Sequence, residues 1–184
     1  NVEWLRDDLG LIATSAESHD VAAMCDDTDG VVYVPALLGL GTPKWDYGAR
    51  GTLLGITRGT GRPHVVRAVL EGVAHRGADL IEAARTDSGV DIHTVRMDGG
   101  MSANPTFAQA LADAANCPIE VSPVAEATTI GAAFMAGLAV GVFDGMEDLD
   151  ALWRPAHVVE PVDPSSNEQR RERWANALER AGGW

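Results

Sequence analysis

The run Val95-Arg96-Met97-Asp98-Gly99-Gly100-Met101-Ser102-Ala103-Asn104-Pro105 carries the residue types best suited to ligand chemistry in this chain. A short apolar strand leads into Gly99-Gly100. Behind it, Asn104 can cap a helix and Pro105 suits its first turn. The two glycines let the backbone approach a ligand without Cβ interference. A helix N-terminus presents unpaired N–H groups and a partial positive charge, which receive phosphate or another anion. The same residues also make an ordinary tight strand–helix turn, so the run alone leaves both readings open.

Other groups carry less chemistry. Asp98 precedes the glycine pair and reads as the residue that ends the strand and ties the turn, not as a catalyst. Asp46 and Arg50 sit in a loop rich in Gly and Pro and read as an ion pair or loop anchor. The histidines at 19, 64, 75, 93 and 157 show no zinc spacing. His64 falls at a helix start, where it caps or packs. His75 and Glu71 form an i, i+4 pair expected on a helix surface. There is no Gly-x-Ser-x-Gly elbow and no Gly-x-x-x-x-Gly-Lys loop, which disfavours a serine hydrolase and a P-loop enzyme. Cys25 and Cys117 lie far apart and read as two buried, reduced thiols of a cytosolic protein. Trp4, Trp45, Trp153, Trp174 and Trp184 read as packing or subunit-contact residues.

The elements that must position these groups follow from periodicity. Trp4, Leu5, Leu9 and Ile12 predict a helix over 2–12, and a second follows around 18–25. Asp29-Gly30 marks a turn into a strand at 31–34. A strand at 52–57 is interrupted by Gly55. Pro63 opens the longest helix, running to about Arg85, with Val66, Val69, Leu70, Val73, Leu80, Ile81 and Ala84 on one stripe. Gly72 and Gly77 inside it imply close packing against another backbone, since each costs about 1 kcal/mol against alanine. A helix from Pro105 to Asn116 turns Phe107, Ala110, Leu111 and Ala114 inward, and a strand follows at 118–122. Thr128 or Thr129 caps a small-residue helix that Gly141 stops. Ser165 to Glu168 forms a capping-box pattern for a last helix to about Arg180. The alternation from Thr94 to Val140 predicts an α/β fold with a parallel strand pair.

The chain has 184 residues, 46% of them apolar, which suits one domain with a real core. No apolar run approaches the ~20 residues that span a bilayer. No secretory signal is visible, and a start at Asn1 instead of Met reads as a fragment or, alternatively, a processed start. The net charge of −13 disfavours nucleic-acid binding but not nucleotide binding, because backbone N–H groups can hold phosphate without lysine.

Several segments together resemble the FGGY carbohydrate kinases. Val34 to Asp46, followed by Ala49-Arg50-Gly51, is similar to its glycerol-phosphorylating branch. Gly55-Ile56, a spacer, His64-Val65 and Ala68-Val69-Leu70-Glu71 resemble the family's second signature. Asp98-Gly99-Gly100-Met101-Ser102-Ala103-Asn104 resembles its adenosine motif. Thr128 to Ala133 and Ala136 to Gly141 resemble a helix that couples domain closure to nucleotide binding, and Leu152-Trp153-Arg154-Pro155 resembles the closing segment.

The resemblance implies the C-terminal half, spanning 1–184, of a two-domain kinase with an actin-like ATPase (ribonuclease H-like) α/β fold, lacking its first strands. It implies ATP and Mg2+, and transfer of phosphate to a polyol or sugar, with glycerol to glycerol 3-phosphate the first choice. A xylulose- or ribulose-phosphorylating relative, or a non-catalytic nucleotide sensor, is the alternative. Gly99, Gly100 and Asn104 match the family's nucleotide-contacting turn. Glu3 falls where this branch usually carries a glutamine near the nucleotide; a carboxylate accepts hydrogen bonds and donates none. The family's catalytic aspartate, in a Gly-Asp-Gln segment, and its phosphate loop match nothing in this sequence, so the chain alone is expected to be inactive. The expected partners are a small polyol or sugar, an N-terminal domain of the same protein and further copies in a homo-oligomer, with no nucleic acid or membrane. The expected compartment is the cytoplasm.

Overall fold

The computed structural model describes residues 1–162 and 164–183, leaving aside the side chains of 164–166. Apolar runs bounded by Gly30 and Gly55 pair as antiparallel strands β1 (Val32–Val34) and β2 (Thr52–Leu54), with Val32 opposite Leu54. Gly55 has φ +80°, and a Cβ there would collide with the Gly30 carbonyl, so the second strand stops short of the expected Thr57.

The first helix is shorter than its periodicity suggests. It covers residues 2–8 with a wide π-type turn over Trp4–Asp8, and Gly10 at φ +61° turns the chain away. Leu5 and Ile12 are nevertheless both buried. Helix α1 (Glu17–Ala22) follows.

Helix α2 (Arg62–Ser88) is the spine of the core. The Gly61 N–H donates to His64 Nδ1 at 3.0 Å, and Gly89 ends the helix at φ +67°. Val66, Val69, Leu70 and Ala74 pack against Tyr33, Val21 and Leu111. A Cβ at Gly72 would strike the Tyr33 carbonyl oxygen, which is the close backbone approach the glycine permits. The predicted stripe does not hold to its end. Val66 is buried, Val73 half-buried and Leu80 exposed. These residues are seven apart, and an α-helix rotates such a row by about 20° per heptad, out of the core. His75 is a second correction. It is buried at 8% exposure, its ring stacked 5.2 Å from that of Trp174, while Glu71 pairs with Arg67 at 2.9 Å.

The second sheet has order β3 (Val95–Met97), β4 (Ile119–Val121), β5 (His157–Val159). β3 and β4 are parallel, with α3 (Pro105–Ala115) as crossover, and Val95 lies opposite Ile119. β5 adds antiparallel to β4. α4 (Ala127–Ala139) begins at the Glu126 carbonyl, which accepts from the Thr129 and Ile130 N–H groups, so Thr128 and Thr129 lie inside the first turn and do not cap it. α5 (Met146–Leu152) and β5 are additions that the sequence reading did not contain. α6 (Pro164–Ala181) sets Trp174, Ala177, Leu178 and Ala181 against Val34, Ala36, Leu40 and Ala49. The capping box at Ser165 and the role given to Trp184 fall outside the described residues.

Asp46 is the loop anchor anticipated. Its carboxylate accepts from the N–H groups of Gly48, Ala49 and Gly183 at 2.9–3.1 Å, while Arg50 donates to the carbonyls of Tyr47, Gly48 and Ala49 instead of pairing with Asp46. Both cysteines are free thiols, Cys117 buried and Cys25 only half-buried. No helix among the described residues is long and apolar enough to cross a membrane.

Candidate functional site

β3 delivers the glycine pair to the end of the sheet. Gly99 has φ +84° and ψ −179°, a conformation that essentially only glycine tolerates. A 3-10 turn over Gly100–Ala103 then leads to α3. The Ser102 N–H and hydroxyl both donate to the Gly99 carbonyl, at 3.0 and 2.7 Å. Ser102 therefore ties the turn; Asp98, expected in that role, is exposed.

The two glycines do different work. Gly100 has an ordinary φ and open space where a Cβ would stand, so nothing inside the chain requires a glycine there. The N–H groups of Gly99 and Gly100 meet no acceptor among the described residues. Gly100 is exposed and Gly99 half-buried, so both N–H groups are open to solvent or to an external acceptor.

Asn104 is 7% exposed. Its Oδ1 accepts the Phe107 N–H at 3.0 Å, which is the expected cap of α3, and its Nδ2 donates to Ser18 Oγ at 2.9 Å. The Ser18 hydroxyl passes its own proton to the Ser15 carbonyl at 2.6 Å. Asn104 thus fixes α3 against α1 and keeps one amide N–H for anything that enters the cleft.

That cleft has a volume of about 560 Å³ and lies between the first helix, α1, α2 and the glycine turn. Glu3, Gly100 and Asn104 all line it, whereas Gly99 stands behind the lining and shapes it. Val2, Val73, Met101 and Pro105 supply apolar walls; Glu3, Ser15 and His19 supply polar groups. His19 Nδ1 lies 2.9 Å from Thr106 Oγ1, which fixes the ring from α3. Sequence reasoning did not single out Ser15, and it weighed His19 only for metal spacing. Neither has a local signal, because they reach the glycine turn only through the packing of α1 on α3. The arrangement can hold a flat apolar ring against its walls and an anion at the turn.

A second polar cluster occupies the seam between α2 and α6, where most of its groups are paired within the fold; the buried Asn167 Oδ1 on α6 is the exception among the described residues. Asp79 accepts from Arg171 at 2.7 Å, from Arg76 at 3.2 Å and from Trp174 Nε1 at 3.0 Å. Arg171 Nη1 lies 3.4 Å from His75 Nδ1; a guanidinium only donates, so that ring nitrogen accepts. Burial, then the neighbouring Arg171 charge, pushes the His75 pKa down to about 4. Burial raises the Glu71 carboxyl above its usual range against the opposing pull of Arg67. No group of three or more His, Cys, Asp or Glu among the described residues is placed to hold a metal ion.

Comparison with known proteins bears directly on the cleft. Residues 1–140 match the FGGY family of carbohydrate kinases, C-terminal domain. Over 184 residues the chain is 48% identical to a glycerol kinase of Rhodopirellula baltica, covering 100% of this chain and 34% of that protein. The fold superimposes on a crystal structure of Plasmodium falciparum glycerol kinase with ADP at a TM-score of 0.89 and 37% identity, covering 98% of this chain and 36% of that one. A ligand-bound xylulose kinase from Lactobacillus acidophilus follows at a TM-score of 0.79 and 25% identity, covering 97% and 36%. The chain spans about a third of the length of the curated relatives it matches. Its α/β architecture is the actin-like ATPase fold of these sugar kinases.

Proposed function

The chain belongs to the FGGY family of carbohydrate kinases, within its C-terminal domain, and from that premise we propose that it supplies the nucleotide-binding domain of an ATP-dependent kinase that converts glycerol to glycerol 3-phosphate. The observation that carries this reading is the cleft. Glu3, Gly100 and Asn104, from separate elements, converge on one cavity beside two unpaired N–H groups.

In this reading the Gly99 and Gly100 N–H groups receive a phosphate of ATP, and Gly100 leaves room for it because it has no side chain. Asn104 acts mainly by holding α3 and the turn in place, with one amide proton left for the nucleotide. Among the described residues no cage of carboxylates is present, so a Mg2+ ion would be held by the nucleotide's phosphates and water and would supply charge neutralisation to the transferring group. The group that takes the hydroxyl proton lies outside these 184 residues. Asp98, the acid beside the turn, is exposed and is not assigned that role. By itself the chain would therefore bind nucleotide without transferring phosphate.

An N-terminal domain of the same protein closes over the cleft and excludes water. Support comes from α4, an apolar helix with no buried residue. The exposed Leu38, Trp45 and Tyr47 offer a surface for homo-oligomer contact. The cytoplasm is the proposed compartment, where ATP is supplied and free thiols persist. A pentulose substrate is the second reading, and the lower identity and TM-score of the xylulose kinase weigh against it.

Phosphate transfer from labelled ATP by the full-length protein tests the assignment. We expect glycerol to be phosphorylated with kcat/KM at least about tenfold above xylulose or ribulose, a gap of roughly 1.4 kcal/mol in transition-state binding. Transfer to a pentulose but not to glycerol would reverse the choice of substrate.

A further inference from the structure

We propose that Glu3 reads the polar edge of the nucleotide base and lets the cleft take guanine nucleotides alongside adenine nucleotides. This rests on the nucleotide-cleft reading above and extends it to the base.

The cleft has a chemical polarity. At one side are the unpaired N–H groups of the glycine turn, which favour phosphate. Glu3 brings a carboxylate to the same cavity, and a carboxylate repels phosphate. The phosphates therefore lie at the turn, and an uncharged part of the nucleotide faces Glu3. The same cavity is also lined by the apolar Val2, Val73, Met101 and Pro105, which suit the faces of a planar base. The edge of that base then meets Glu3, an exposed side chain on the rim whose carboxylate accepts no hydrogen bond from any described residue and is open to a base.

A carboxylate is acceptor-only, with two oxygens side by side. Guanine presents two adjacent donors, N1–H and the N2 amino group, which match it as a bidentate pair with charge assistance. Adenine offers one donor, the N6 amino group, next to the N1 lone pair, which a carboxylate repels. Hypoxanthine keeps N1–H but lacks the amino group and should fall between. A glutamine at the same position, with one donor and one acceptor, complements the adenine edge instead.

Equilibrium binding of ADP, GDP and IDP to the full-length protein and to Glu3→Gln tests this, with thermal melts checking that the variant folds. The expected result is GDP binding within about tenfold of ADP, IDP between them, and a shift of the GDP:ADP affinity ratio by about tenfold toward ADP in Glu3→Gln, the scale of one good bidentate base contact. If ADP binds but the ratio is the same in both proteins, Glu3 touches the ribose or nothing, and this inference falls while the cleft assignment stands. If none of the three nucleotides binds the wild-type protein, the cleft assignment falls and this inference with it.

Discussion

The glycine-turn cleft and the α2–α6 seam are both rich in polar groups, yet they use them in opposite ways. In the seam the charged groups satisfy one another, and of the buried side chains described there Asn167 Oδ1 stands without a donor. Asp79 is shared by Arg76, Arg171 and Trp174, and His75 lies flat on Trp174. At the cleft the Gly100 N–H, and behind it that of Gly99, meet no acceptor among the described residues, and the exposed Glu3 carboxylate accepts no hydrogen bond from them. Polar groups paired inside the fold hold it together; groups that face an open cavity are free to exchange water for a ligand. The difference separates a structural cluster from a functional one more sharply than residue type does.

Removing Asp79 should break the seam most. Asp79→Ala strands the Arg171 guanidinium and the Trp174 N–H, and we expect a loss of about 3 kcal/mol in urea unfolding, the lower end for breaking a buried ion pair because Arg171 keeps some solvent contact. A loss below about 1 kcal/mol would show that α6 is held by apolar packing alone.

Acid should weaken the same seam next. The His75 pKa stands near 4 in the folded chain against an ordinary 6.5. As pH falls through 6.5 the unfolded chain takes up this proton first. The stability is full above pH 6.5 and is lost progressively down to pH 4, by up to about 3 kcal/mol. Glu71, raised by burial, acts in the opposite sense. The measurement is therefore the difference between wild type and His75→Phe, in urea melts at pH 7 and 4.5. The phenyl ring keeps the stack on Trp174 and should remove the acid-dependent loss.

The smallest expected change in stability comes from the cleft, where the effect is on binding. A Cβ at Gly100 meets no atom within 4 Å, so in Gly100→Val stability should stay within about 1 kcal/mol while ADP affinity of the full-length protein, followed by calorimetry, falls more than about tenfold. Gly99→Val, at φ +84°, should instead destabilise by about 1–3 kcal/mol. Equal behaviour of the two variants would erase the distinction between a glycine that shapes the turn and one that makes room.

Local rules were legible wherever the signal was local. The cap at Asn104 and the close approach at Gly72 follow from one or two residues each. β5 was not legible, because three residues between Pro155 and Pro161 give no alternation to read. His75 was misread because sequence spacing pairs it with Glu71, while its real neighbour, Trp174, is brought by α6. The cleft was half legible. The glycine turn announces itself, but Ser15 and His19 join it only when α1 packs on α3.

By itself the sequence determined the order of the elements other than α5 and β5, the glycine turn and the membership of a kinase family. These are written in residue types at short spacing, where backbone sterics and capping act over a few residues. Only the tertiary structure decided which polar groups are paired. Pairing depends on which helices meet, and that is settled by burying the apolar faces of α1, α2, α3 and α6, not by the polar residues themselves.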